Sequence, residues 1–483
     1  MLKASCSRYK RRMKQAKSKS SNAPFQFSSN QIPERNSTSL WILPLINNPE
    51  LTADINYRTD YLVAKASGVA WGKGLCVACK GSKFLCGKTR CPLVVRLKSY
   101  FRTLPLIQGT DMDGASPPGV FVGRIGYPYV YAGPLVPPVH EDTSMFDLPE
   151  LWFGKSMDEI VGFRSMLVRG KHRVHVKKFE EAGKIMDETR ELALSGGPVD
   201  VELGFKKKPR RRLVLDDEVQ PFGPSAVIRS MDIGTSRWDH QIEKAYGDAD
   251  LKAADAVVTL HNRGVVTSRI QRAFSVGAFG LEKQRRLVPT RWSITAVDSI
   301  ISKDLMGQIK MFPEINEYRV YESRYLDNQF EVLMIPGAWS YEAMEAWYPG
   351  TVWNPNGRSV VLFSDWEGFE GRTTYADIGG CYYAARLAVG EMLLKERRQA
   401  VVIVLREVHA GYIMPVGVWQ VRENVRHAMT QAPLKYNTLE EALARIASKF
   451  QIPLEQWIGR SKLLQDALFQ KKITEYLHEG RVR

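Results

Sequence analysis

Cys381-Tyr-Tyr-Ala-Ala-Arg-Leu-Ala-Val-Gly-Glu-Met-Leu-Leu-Lys-Glu-Arg397 stands just ahead of Val401-Val-Ile-Val-Leu405. The first segment spaces its apolar residues as an amphipathic helix does, and the second is an unbroken apolar run of strand length. Three more runs of that length flank the pair: Phe330-Glu-Val-Leu-Met-Ile-Pro336, Ser359-Val-Val-Leu-Phe-Ser364 and Val416-Gly-Val-Trp-Gln-Val421. A mixed sheet covered by helices is the simplest packing of such a set. After Tyr436 the pattern turns helical again.

Upstream, Ser116-Pro-Pro-Gly-Val-Phe-Val-Gly-Arg-Ile-Gly-Tyr-Pro-Tyr-Val-Tyr-Ala-Gly-Pro-Leu-Val-Pro-Pro138 alternates β-branched and aromatic residues with turn residues, as short strands with tight turns do. Ser156 is placed to cap a helix beginning at Met157. Between Asp250 and Gly280 the spacing predicts two helices joined at Gly264. This is the outline of a helix-turn-helix, with Arg269 and Arg272 on its second helix, or of a plain αα-hairpin. The hairpin is the simpler reading, because no free recognition face is evident. The run Lys206-Lys-Lys-Pro-Arg-Arg-Arg212 reads as a surface loop.

A chain of 483 residues exceeds one ordinary core. The expected class is α+β or α/β in two domains. Residues 1–35 form a basic arm, 36–300 an amino-terminal domain with a four-cysteine site, 301–440 a mixed-sheet carboxy-terminal domain, and 441–483 a helical tail. No acidic residue precedes Glu34, while lysines and arginines gather among Ser, Asn and Gln, a composition that favours disorder.

The formal net charge of +16 attracts polyanions such as nucleic acid or anionic lipid, a thermally adapted or simply basic housekeeping enzyme being the alternative. No apolar run approaches the length of about 20 residues that a membrane-crossing helix needs, and the basic start has no apolar run behind it of the kind a secretory leader carries. The expected location is cytoplasmic and nucleoid-associated, with no membrane partner.

Four of the six cysteines crowd into Cys76-Val-Ala-Cys79-Lys-Gly-Ser-Lys-Phe-Leu-Cys86-Gly-Lys-Thr-Arg-Cys91-Pro92. A C-x-x-C knuckle brings two thiolates to one ion and Cys86 and Cys91 close a tetrahedral shell. A filled shell leaves no position for substrate, so a structural Zn2+ is the expected cofactor, with an iron–sulfur cluster as the alternative. Lys80, Lys83, Lys88 and Arg90 surround the ligands, as in a knuckle that faces phosphate or one with a solvated rim.

In the carboxy-terminal domain Asp365 and Glu367 follow one expected strand, and Glu407 and Glu423 end two others. These four are the candidate acid/base or metal-binding carboxylates, with Arg372 and Arg386 to hold a phosphate; structural ion pairing is the alternative. Gly379-Gly380 stands where a helix starts, and free amides there can bind a nucleotide phosphate or merely form a turn. Near the end, Gln470-Lys-Lys-Ile473-Thr-Glu-Tyr476-Leu477 has the spacing of a sliding-clamp-binding peptide, in which Ile473, Tyr476 and Leu477 form a plug and Gln470 enters a polar pocket.

Four motifs in order resemble the archaeal Nre family: the cysteine segment, Phe121-Val-Gly-Arg-x-Gly-Tyr-Pro128, Leu287-Val-Pro-Thr-Arg-Trp-Ser-Ile-Thr295 and Gly379-Gly-x-Tyr-Tyr-Ala-Ala-Arg-Leu-Ala388. The resemblance implies an archaeal DNA-repair protein that contacts the sliding clamp, PCNA, through Gln470, Ile473, Tyr476 and Leu477, although Tyr476-Leu477 departs from the usual double aromatic. It also implies zinc at Cys76, Cys79, Cys86 and Cys91, and a link to hydrolysis of ADP-ribose attached to DNA. The leading expectation is a repair factor that binds DNA and the clamp. The alternative is a hydrolase of ADP-ribosylated DNA, or a nuclease, working from the carboxy-terminal domain.

Overall fold

The computed structural model describes residues 78–210, 220–355 and 357–470. Behind the cysteine segment, α1 (Pro92–Thr103) starts with proline at its first position, where no amide is needed. The turn-rich stretch then forms β1 (Asp111–Ser116), β2 (Val120–Val122) and β3 (Tyr129–Val136), as its alternation predicts. The helix α2 (Met157–Met166) opens with a full capping box, in which Ser156 and Glu159 satisfy each other's backbone amides. The strand β4 (Val168–His175), the helix α3 (Lys184–Leu194) and the strands β5 (Val199–Phe205) and β6 (Ser225–Ile233) complete the first sheet. Its order is β1-β5-β6-β4-β3-β2, antiparallel except for the β4–β6 pair.

Four helices lead onward: α4 (His240–Gly247), α5 (Ala253–Asn262), α6 (Thr267–Ser275) and α7 (Thr290–Ile309). Gly264 turns α5 into α6 at a φ of +80°, a conformation that favours glycine. Nearly every residue of α6 is buried, and Arg272 donates to the carbonyls of Pro118 and Asp147 from inside the core. The pair is thus a packed αα-hairpin and offers no recognition helix.

The chain passes through residue 300 within α7 and enters β7 (Tyr318–Tyr325), β8 (Asn328–Ile335), β9 (Ser340–Trp347) and β10 (Val361–Glu367). After α8 (Gly380–Glu396), β11 (Val401–Val408) inserts between β8 and β9, antiparallel to the first and parallel to the second. Then come α9 (Trp419–Thr430), β12 (Leu434–Tyr436), α10 (Leu439–Lys449), α11 (Leu454–Arg460) and α12 (Lys462–Phe469). The second sheet runs β10-β9-β11-β8-β7-β12.

Two expectations are corrected. The run Val416–Val421 is not a strand; it leads into α9, whose Gln420 to Val425 are buried. A short apolar run reads the same in a strand and in a helix buried on all sides. Nor is α8 amphipathic, since Tyr382 through Gly390 are buried without a break. The helix lies in a core that joins Val130, Val174 and Val201 of the first sheet to Val332, Met334 and Val402 of the second. On its other face the second sheet packs Val320, Leu333, Ile403 and Leu405 against Leu443, Ile446, Trp457 and Leu464 of the tail helices. Each such side chain contributes roughly 1.5–3 kcal/mol on burial, so the tail is bound as part of the core.

Candidate functional site

Asp365 and Glu367 stand two residues apart on β10 and therefore face the same side. Arg372 Nη1 donates to Asp365 Oδ1 at 2.6 Å, and the same guanidinium donates to the carbonyls of Thr374 at 2.8 Å and Tyr375 at 3.2 Å. The Asp377 amide donates to the other carboxylate oxygen of Asp365. These bonds shape the loop that delivers Gly379, at a φ of +67°, to the start of α8. A Cβ on Gly380 would lie 3.0 Å from Val418 and 3.1 Å from Thr295, so that glycine is required for close packing.

Glu367 is buried. It receives Arg386 Nη1 at 2.6 Å, the Tyr382 hydroxyl at 3.0 Å and Trp339 Nε1 at 3.4 Å. Arg372 and Arg386 both lie over the Tyr382 ring, at 4.8 and 5.5 Å. Asp365, Glu367, Arg372, Arg386 and the glycine pair thus share one neighbourhood. Within it, both carboxylates and both arginines are committed to one another and to the loop.

Glu407 and Glu423 lie elsewhere. Glu407 faces the tail helices and accepts the Gln451 and Ile452 amides at 3.2 and 2.9 Å, with His409 Nε2 at 3.2 Å. Its neighbour in that role is Glu342, which accepts the Lys462 and Leu463 amides at 3.0 and 2.8 Å where α12 begins. Glu423 stands on α9 between Arg422 at 3.1 Å and Arg426 at 3.0 Å. Arg422 also reaches Asp298 of α7 at 2.9 Å, and Arg426 reaches Glu391 of α8 at 2.6 Å. Burial raises the carboxyl pKa of Glu423 and of Asp298 against the pull of these arginines. The network joins the helices beside both sheets, where each buried charge needs its partner.

Cys79 is buried and Cys86 and Cys91 are partly exposed; Cys76 lies outside the described residues. Backbone N–H groups, that of Leu85 first and then those of Lys83, Gly81 and Phe84, lower the Cys79 thiol pKa against the effect of burial. Left-handed turns at Lys80, Gly81 and Gly87 shape the loop. Among the described residues, no group of three or more His, Cys, Asp or Glu side chains is gathered to hold a metal ion. Of the surrounding cations, Lys88 is buried and donates to the Gly350 carbonyl at 2.9 Å, Arg90 pairs with Asp158, and Lys80 and Lys83 are exposed.

In the tail, Gln470 follows α12 directly; Ile473, Tyr476 and Leu477 lie outside the described residues. Of the basic run 206–212, Lys206, Lys207, Lys208 and Arg210 are exposed, and residues 211 and 212 lie outside the described residues.

One cluster escaped the sequence reading. In Val168-Arg-Gly-Lys-His-Arg-Val-His175, Val168, Gly170 and Val174 point into the core, whereas Arg169, Lys171, Arg173 and His175 share the outer face of β4. The signal was alternation of basic with small or apolar residues, broken at His172, a strand period carried by the charges. Among the described residues no helix is long and apolar enough to cross a membrane.

Comparison with known proteins agrees with the four motifs. Residues 85–354 match the family described as archaeal Nre, N-terminal, and residues 367–476 match archaeal Nre, C-terminal. The chain is 41% identical over 391 residues to the DNA repair protein NreB of Archaeoglobus fulgidus, covering 81% of this chain and 97% of that one. It is 36% identical over 383 residues to the DNA repair protein NreA of the same organism, covering 79% and 95%. Against the DNA repair protein NreA of Haloferax volcanii it is 36% identical over 357 residues, covering 72% and 85%. No solved structure matches it. With both halves matched in order and relatives aligned along most of their length, the chain belongs to the archaeal Nre family.

Proposed function

We propose that this protein is a DNA-repair factor that holds DNA on a basic surface and docks on the sliding clamp, PCNA, through its carboxy-terminal peptide. The relatives' names supply the repair context. The observation that carries DNA contact is the row of Arg169, Lys171 and Arg173 on the outer face of β4, the first two half-buried and the third exposed. Binding is preferred to catalysis because Asp365, Glu367, Glu407 and Glu423 are each engaged in ion pairs or in holding backbone amides. DNA affinity should fall steeply as salt rises, since each neutralised phosphate releases counterions. A flat salt dependence would sink the DNA reading.

The clamp contact rests on the spacing from Gln470 to Leu477 and on its place directly after α12, a helix anchored through Glu342. Intact protein should bind the clamp, and a form ending at Phe469 should not; equal binding by both rejects it. Cys76, Cys79, Cys86 and Cys91 are proposed to hold a structural zinc ion, which would cross-link the loop ahead of α1. The soft thiol donors and the amides turned toward Cys79 fit such an ion. Metal analysis of the purified protein should give zinc; iron with sulfide, or no metal, would overturn the assignment.

A further inference from the structure

The outer face of the first sheet is divided. Across β3 and β4 it carries aromatic rings and cations; across β1 and β5 it carries Asp111, Asp113, Asp200 and Glu202. Tyr129 and Tyr131 are 54% and 42% exposed, although Val130 between them is fully buried. The register sets Tyr129 opposite His175 and Tyr131 opposite Arg173. Arg173 lies over the Tyr129 ring at 5.8 Å, Lys171 lies over the Tyr131 ring at 5.9 Å, and His175 meets Tyr129 edge-on at 4.8 Å. Burial and the like charge of Arg169 lower the Lys171 pKa.

We infer that this half of the sheet is a platform for single-stranded DNA. The inference rests on the proposed DNA-binding role and specifies the form of DNA and the face that takes it. Cations alone would suit duplex and single strand equally, because both present phosphates. Exposed tyrosines two residues apart on a strand do not, since the bases of a duplex are stacked on one another and only an opened strand can lay its bases on protein rings. The cations bordering each ring then meet the phosphates on either side of the stacked base.

Two boundaries define the path. The Lys206 amide donates to the Val227 carbonyl at 2.9 Å, and Arg210 bridges to Ser225, so the exposed cations of residues 206–210 run beside β6, the neighbour of β4. On the far side the acidic strands repel phosphate, with Arg229 held by Asp111 at 2.8 Å and His140 held between Asp113 and Asp200. The strand is thereby confined to β3, β4 and the start of β6.

The test uses the full-length chain with labelled oligo(dT), oligo(U) and a DNA duplex, each of about 20 nucleotides, followed by fluorescence anisotropy. Replacing Tyr129 and Tyr131 together by Ala should weaken oligo(dT) binding by about tenfold or more while duplex affinity changes by less than about twofold; replacing both by Phe should restore it. Lys171→Glu with Arg173→Glu should weaken binding to both DNA forms and lower the salt slope by roughly two. Thermal unfolding should change little in these variants, since Tyr129, Tyr131 and Arg173 are exposed and Lys171 is half-buried on the same outer face. Unchanged oligo(dT) affinity in the alanine variant, an equal loss for single strand and duplex, or tighter binding of oligo(U) than oligo(dT) by wild type would each overturn the inference. If wild-type protein binds neither DNA form, the DNA-repair reading falls with it. If it binds DNA and none of these substitutions matters, only the platform falls.

Discussion

The two sheets have the same number of strands and the same single parallel pair, yet they treat charge in opposite ways. The second sheet is covered on both faces, and its polar residues are locked: Arg386 with Glu367, Arg406 with Glu345 at 2.7 Å, and Glu342 and Glu407 on the amides of the tail. Among the described residues, the first is covered on one face only. On its outer face Lys171 and Arg173 lie over tyrosine rings. A charge beneath helices has lost its water and must be fully partnered for the fold to stand, whereas a charge on the open face remains available to a ligand. Number and type of ionisable residues single out the second sheet, whereas solvation singles out the first, which is the one proposed to bind.

Removing one cation that serves each sheet, Arg386 of α8 against Glu367 of β10 and Lys171 of β4, is the most severe test of that contrast. Arg386→Ala strands Glu367 in the core and should cost about 3–5 kcal/mol in denaturant unfolding. Lys171→Ala should stay within about 0.5 kcal/mol of wild type. Similar costs for the two would break the comparison.

The second test concerns Glu331, buried on the tail-facing side of β8, where burial raises its carboxyl pKa to about 8 from an ordinary 4.5. Gln329 donates to one oxygen at 2.9 Å; among the described residues the other has no hydrogen-bond partner. Because the folded state holds this proton and the unfolded chain releases it, stability is lost as pH rises from about 4.5 to about 8 and is level above that range. Glu331→Gln should remove that slope and stabilise the protein by up to a few kcal/mol at pH 9, with little effect at pH 4. An unaltered slope in urea titrations at several pH values would show that Glu331 is solvated.

How much of this was legible in the sequence follows from the same contrast. Strands β8, β10 and β11, the hairpin region β1 to β3 and the Ser156 cap each carry a local signal: an apolar run of strand length, alternation with turn residues, or a side chain bonding its own helix. The start of α9 did not, because a helix packed on every side has no polar stripe to mark its turn. For the same reason α8, with alanine, valine and glycine where an amphipathic helix would be polar, lies between two sheets instead of upon one. The carboxylates were found but not their roles. Nothing near Glu407 in the sequence announces that its partners are the amides of Gln451 and Ile452. Strand β4 was missed although its alternation could have marked it, and the tyrosines of β3 lay within the turn-rich motif; the register that sets the two side by side was not visible in the sequence.

Glu407 supplies the third test, at intermediate size. Glu407→Ala leaves the buried Ile452 amide and the partly buried Gln451 amide without this acceptor and should cost roughly 1–3 kcal/mol. Hydrogen exchange at Gln451 and Ile452 should quicken while exchange in β3 and β4 does not. Unchanged exchange at those amides would mean that Glu407 does not hold the tail, and the argument that it is structurally engaged would fail.

The smallest effect is expected on the open sheet itself, at His140. Its ring is held by Asp200 at 3.3 Å and by Asp113 at 2.7 Å, and these bonds, that to Asp200 first, raise its pKa. A histidine raised on folding contributes stability that is full below its unfolded pKa of about 6.5 and disappears as pH rises through the folded value. The group is exposed and screened, so the contribution is small, but its sign is fixed. His140→Asn should lower the melting temperature slightly at pH 5.5 and leave it unchanged at pH 9, and added salt should reduce the difference at the lower pH. The same protonation cancels part of the acidic border, so wild-type protein should lose some discrimination between the two halves of the sheet as pH falls. An offset in melting temperature that is equal at both pH values would mean that His140 acts by packing, and the acidic half would then have no pH-dependent edge.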